Sequence, residues 1–248
     1  MTETKINSVI VYGPTGVGKT ITVAKAFPKA LWIVTQPTNL SGYHSWLEKC
    51  PEEAAQLGLG PIPESHIVQV GDVCINPNTF EVSAVNTQAM ISQHVRNYCL
   101  SVAKGEDKFD GIVFDEFSVF VHRVYHALQK KSSNTFKAID DIKSWVREIC
   151  ALSSIANRRV CFVCHAQNPK YDESGKLQYM GGPAMPIGTM VAEVCALPDA
   201  VLQMESKTDP IGNVSRVFRT QVHPEWIRKI RRWGIPLEVE ADLRKLLA

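Results

Sequence analysis

One eight-residue stretch constrains this chain more than any other: Gly13-Pro14-Thr15-Gly16-Val17-Gly18-Lys19-Thr20. It satisfies G-x-x-x-x-G-K-[ST] at every fixed position. Before it stands the β-branched, apolar run Ile6–Tyr12, short enough for a buried strand. After it, Lys19–Phe27 reads as a helix ended by Pro28. Glycines let the backbone curl so that successive N–H groups turn toward one point, and the helix N-terminus adds partial positive charge. Such a curl holds a chain of phosphates. The Lys19 ammonium is placed to reach β- and γ-phosphate oxygens and the Thr20 hydroxyl to ligate Mg²⁺, with Ile21 closing the cradle. The block predicts ATP or ADP with Mg²⁺ as ligand.

A phosphate cradle needs an acid for its metal and a base for its water. Gly111–Phe114 is a second apolar run, and Asp115-Glu116 follows it at once. Acids there fall on the carboxyl edge of a parallel sheet, where ligands of α/β folds bind. If this strand neighbours Ile6–Tyr12, Asp115 faces the metal held by Thr20, and Glu116 is placed to polarise the attacking water. Gln36, closing the strand Ala30–Thr35, and a residue near Asp72 are alternative bases. The next strand, Arg159–His165, ends on the same edge, so His165 is a candidate γ-phosphate sensor; a capping or core histidine is its plainer reading.

The remaining pattern alternates strands with helices, which implies a mostly parallel sheet covered on both faces. A strand Ile67–Val70 follows a loop-rich stretch. Val82–Lys104 has apolar residues near helical spacing, and Val119–Leu128 and Phe136–Ala156 read as helices separated by the polar stretch Gln129–Thr135. Tyr171–Met180 carries a hairpin signal around Ser174-Gly175. Met190–Ala196 reads as a helix, Asp199–Met204 and Val214–Thr220 as antiparallel strands extending the sheet, and Asp242–Leu247 as a last helix. One α/β domain over residues 1–248, with a basic tail from about 221, is the expected organisation.

A net charge of +2 demands neither a nucleic-acid nor a membrane partner. No leader-like segment and no spanning run is evident, and the seven cysteines form no framework, so a reduced cytoplasmic protein is expected. Cys161-Phe162-Val163-Cys164-His165 spells a haem-attachment pattern, but it lies in an apolar strand, whose side chains alternate between faces. Buried free thiols are the expectation there. Two polar stretches combine cations with ring faces, as single-stranded nucleic acid requires. The first carries Lys130, Lys131 and Lys137; the second carries Lys170, Tyr171, Lys176 and Tyr179.

GPTGVGKT, IVFDE, RVCFVCH, GGPAMPIG, DAVLQME and the closing VFRT…WIRKIRRWG occur here in the order found in RecA-like ATPases. The chain most closely resembles the phage-encoded RecA-like single-strand annealing proteins. The resemblance implies a RecA-like core that self-associates as a ring or filament, with ATP between subunits, in the host cytoplasm if phage-encoded. It implies single-stranded DNA on two loops, Gln129–Lys137 and Asn168–Gly182. It also matches the family's trans-acting K-x-R to Lys229-Ile230-Arg231, which would reach a neighbour's γ-phosphate. RecA proper has its catalytic glutamate at the end of the second core strand, where this chain has Gln36, so Glu116 is the expected base. An ATPase that promotes annealing or recombination is the leading expectation. A loader or packaging motor acting on a protein, and a small-molecule kinase, remain open.

Overall fold

The computed structural model describes residues 6–71, 73–75, 82–84, 86–106, 108–131, 134–155, 158–232 and 234–247. In chain order, β1 (Ser8–Gly13) leads through the glycine turn into α1 (Lys19–Ala26), then β2 (Leu31–Val34), α2 (Ser41–Lys49) and α3 (Pro51–Gln56). Three short strands follow, β3 (Ile67–Gln69), β4 (Val73–Ile75) and β5 (Val82–Ala84), then α4 (Thr87–Ala103) and β6 (Gly111–Asp115). The helices α5 (Phe117–Lys131) and α6 (Thr135–Ile155) separate β6 from β7 (Arg159–Gln167). Beyond lie the hairpin β8 (Lys170–Tyr171) and β9 (Leu177–Tyr179), then β10 (Gly182–Pro183), α7 (Gly188–Ala196), β11 (Ala200–Thr208) and β12 (Val214–Arg219). Last come β13 (Lys229–Ile230), β14 (Glu238–Glu240) and α8 (Leu243–Leu247).

The main sheet runs β14-β12-β11-β1-β7-β6-β2-β3. From β11 to β3 every pairing is parallel, whereas β12, β13 and β14 join antiparallel. This is a mostly parallel sheet flanked by helices, with the antiparallel C-terminal extension that the late pair of strands implies. Because strand side chains alternate, β1 sends Ile10 and Tyr12 into the layer of α4–α7, and Val9 and Val11 into the layer of α1, α2 and α8. β7 does the same: Cys164 lies in the first layer and Cys161 in the second. Both thiols are buried, and no single ion or haem could meet them from opposite faces of a sheet.

Three expectations change, and one helix is new. The strand with the two acids is not beside β1; β7 stands between them. The run from Val82 is not helical at its start: β5 pairs with β4, and α4 begins only where the Asn86 side chain accepts a hydrogen bond from the Ala89 amide. The polar stretch from Gln129 is not a loop at either end, because Gln129–Lys131 finish α5 and Thr135–Lys137 begin α6. Gln129 Nε2 donates to the Tyr125 hydroxyl one turn back (2.6 Å), which carries the helix onward. Pro51–Gln56, which stands between the expected short helix around His44–Cys50 and the loop at 58–63, forms α3 with proline in its first turn. Asp72, Ser132 and Ser133 lie outside the described residues, as does the side chain of Lys131.

Candidate nucleotide and catalytic site

The residues Gly13–Thr20 curl at the carboxyl end of β1. Gly18, at φ 96°, takes a backbone conformation that a side chain disfavours. Gly13 is needed for proximity, since a β-carbon there would stand 2.5 Å from the Met204 carbonyl oxygen of β11. The buried Lys19 donates from Nζ to the Gly13 (2.9 Å) and Pro14 (2.8 Å) carbonyl oxygens. Burial holds its ammonium below the ordinary value, against the opposing pull of Asp115.

Thr20 Oγ1 donates to Asp115 Oδ2 at 2.9 Å, so the hydroxyl and the carboxylate meet across the width of β7. Asp115 is buried, and desolvation raises its carboxyl from 3.8 to about 6, despite hydrogen bonds from Thr20 and the Glu116 amide. Two hard oxygen donors in contact, beside a phosphate loop, fit Mg²⁺, which accepts few protein ligands and keeps water and phosphate oxygens for the rest.

Glu116 has φ 20°, and it is the one non-glycine residue with positive φ among the described residues. Its Oε1 lies 3.0 Å from His165 Nε2, and its Oε2 accepts from Thr35 Oγ1 at 3.0 Å. The His165 hydrogen bond holds its carboxyl below the usual value, so Glu116 is ionised at neutral pH. His165 Nδ1 is 3.4 Å from Thr15 Oγ1 of the phosphate loop, which links Glu116, His165 and the loop in one chain of contacts. A cleft of about 390 Å³ unites them, lined by Gly16, Lys19, Thr20, Asp115, Glu116 and His165 among others. Val17, by contrast, turns inward as a buried core residue beneath the loop.

Thr35 and Asn39 are contacts that motif reading misses. Asn39 Nδ2 donates to Thr35 Oγ1 (3.1 Å), steadying the hydroxyl that holds Glu116. Only their place just past β2, on the active edge, could have pointed to them. Gln36 is exposed, and its Oε1 accepts from Thr38 Oγ1 (3.3 Å) rather than engaging the acids.

The other expected residues lie elsewhere. Lys229 Nζ donates to the Ala196 carbonyl oxygen (2.7 Å), and Arg231 pairs with Asp199 (3.2 Å). Both stand near the amino end of β11: Lys229 is level with Ile10 and Arg231 with Ser8, three and five residues, or roughly 10 and 16 Å, along the strands from Gly13. With Arg232 they line an open groove of about 660 Å³. Lys170, Tyr171, Lys176 and Tyr179 are exposed on the β8–β9 hairpin, which leaves directly from the end of β7. Lys130 is exposed at the end of α5 and Lys137 in the first turn of α6. The basic run from Arg216 to Arg232 does not form one patch: Arg219 pairs with Glu205 and Glu238, and Arg228 hydrogen-bonds Gln203.

Residues 5–232 match the family model described as AAA domain. The chain belongs to that family. This AAA domain is therefore a nucleotide-binding domain of the ATPase class. Among solved structures, it is similar to a KaiC-like protein from the hyperthermophilic archaeon Pyrococcus horikoshii OT3, at 12% identity and a TM-score of 0.44. That match covers 91% of this chain and 83% of the other. No curated protein matches the AAA domain sequence. Among the described residues no helix is long and apolar enough to cross a membrane.

Proposed function

We propose that this AAA domain binds ATP with Mg²⁺, hydrolyses it, and couples hydrolysis to single-stranded DNA in annealing or recombination. The observation that carries the hydrolytic part is the Thr20–Asp115 contact with Glu116 next in sequence and His165 against it. Magnesium, when bound at Thr20 and Asp115, supplies positive charge that offsets the charge of the phosphates. Lys19 leaves the loop carbonyls to meet phosphate oxygens. Glu116, ionised and held from two sides, orients a water and accepts its proton, while His165 reports on the terminal phosphate through Thr15.

The DNA part is supported by the β8–β9 hairpin. It exposes two lysines and two tyrosines shortly after β7, the strand that carries His165, so phosphate contacts and base stacking are presented beside the catalytic edge. Self-association would let Lys229 and Arg231 of one copy approach the cleft of the next. A protein partner, as for a loader or packaging motor, is favoured by one observation: Phe136, near the α5–α6 turn, is 80% exposed.

The test is ATP turnover of the full chain with and without a short single strand. Stimulation, together with binding that weakens as salt rises, is the expected result. Turnover indifferent to DNA, with no salt-sensitive binding, removes the DNA part and leaves the ATPase. Glu116→Gln should keep nucleotide affinity and slow turnover by about 10²–10⁴; unchanged turnover would move the base elsewhere.

A further inference from the structure

Beside the phosphate loop, on the side away from Asp115, a second cleft of about 340 Å³ opens between α1 and the β12–β14 edge. It shares Gly18 and Ile21 with the phosphate cleft, and Trp46, Arg216 and Glu240 line its far side. Arg216 points toward the α1 layer, because Phe218, two residues on, is buried in that layer. Its guanidinium lies so near the loop that a β-carbon on Gly18 would come within 2.9 Å of Nε and 3.4 Å of Cζ.

Electrostatically this is a poor place for a cation. The N-terminus of α1 carries partial positive charge, and Lys19 is the next residue. Among the described residues the Arg216 side chain has no hydrogen bond or ion pair to offset either. By contrast Arg219, on the same strand, has two glutamates. Glu240, the acid of this cleft, is taken up by Lys245, so an arginine near a helix N-terminus is stabilised when an anion arrives between them.

The direction of a bound triphosphate says which anion. Thr20, Asp115 and Glu116 mark the end where the terminal phosphate reacts. Gly18 and Ile21 are shared by both clefts, so a phosphate chain running from that end across the loop emerges with its α-phosphate facing Arg216. We propose that the second cleft is the nucleoside half of the site, and that Arg216 closes over the α-phosphate where the ribose begins. The proposal rests on the nucleotide-binding reading above and adds to it the residue that holds the α-phosphate. A planar guanidinium suits the role, since its fork can meet two oxygens at once. The side chain is exposed, but the strand that carries it is well placed. β11 packs so closely on Gly13 that the hairpin bearing Arg216 and the loop it faces are fixed to one another.

The experiment is calorimetric titration of the full chain with Mg²⁺-ADP and with Mg²⁺ and a non-hydrolysable ATP analogue, at 150 mM salt, on four proteins. They are the wild type, Arg216→Ala, Arg216→Lys and Lys207→Ala, the last a cation of the same hairpin already paired with Glu238. Arg216→Ala should weaken both ligands about tenfold or more, as loss of a charged hydrogen bond does. Arg216→Lys should fall between it and the wild type, and Lys207→Ala should stay within about twofold because surface charges are screened. The melting temperature without ligand should not change for Arg216→Ala, as the side chain has no partner to lose. Arg216→Ala binding within about twofold of the wild type overturns the inference. A wild type that binds neither ligand overturns the nucleotide-binding reading instead, and the two failures are distinct.

Discussion

The central strands end in two polar clusters that use similar residues and differ in how completely they are satisfied. At the amino end, Asp199 accepts hydrogen bonds from the Asn7 amide, the Ser8 amide and the Ser8 hydroxyl, and pairs with Arg231. This cluster ties the start of β1 to the start of β11 and leaves little for a ligand to improve. At the carboxyl end, Lys19 is spent on two carbonyls of its own loop, Asp115 is buried at a cost to its charged form, and Glu116 has an uncommon backbone angle. The lesson is that buried charge alone does not mark a functional site. What marks it is buried charge whose present partners are poorer than those a substrate would bring.

That contrast can be broken in several ways, beginning with the largest effect. Lys19→Ala should abolish nucleotide binding, measured by titration, with little change in folding; retained affinity would mean that the loop is not the ligand cradle. Asp115→Asn should stabilise the protein without ligand. The raised carboxyl value means the folded state holds the proton more tightly than the unfolded chain, so the wild type loses stability as pH rises from about 4 to about 6. Above that window the asparagine variant should be more stable by up to about 3 kcal/mol, and below pH 4 the two should converge. Equal melting at pH 8 would show that the burial of Asp115 carries no strain.

Asp199→Ala should act in the opposite sense, costing about 2 kcal/mol in denaturant melts because two backbone amides lose their acceptor, while nucleotide affinity of the folded fraction holds. Weakened affinity would couple the two ends. Arg231→Ala should cost under about 1 kcal/mol, as its partner keeps three other donors and the pair is half exposed. A fall in turnover beyond that, restored by mixing with Lys19→Ala protein, would assign Arg231 to a neighbour's site.

The phosphate loop was legible because its chemistry is local: strand, turn and helix follow one another within twenty residues. Asp115, Glu116 and His165 were legible as strand ends, and the β8–β9 hairpin as a turn signal between alternating residues. Strand order was not, since whether β6 or β7 lies beside β1 depends on pairings between residues some 150 positions apart. Val82–Ala84 was misjudged because a short apolar run fits both periods, and the Asn86 cap that separates strand from helix is a single residue. The end of α5 was misjudged because lysine and glutamine look like loop residues yet favour helices. Thr35 and Asn39 carry no motif; only the fold shows that they brace Glu116.

The placement of β7 has a consequence for how such proteins can change. It serves as a spacer between the turn that grips phosphate and the acid that Thr20 reaches, and it sets their separation at two interstrand steps, on the order of 10 Å. A chain that kept every recognisable signature but paired its strands in another sequence would leave Thr20 pointing at nothing. The dimension on which the chemistry depends is thus kept by Val160–Cys164, an apolar stretch whose one recognisable pattern, a haem-attachment spacing, has nothing to do with that task.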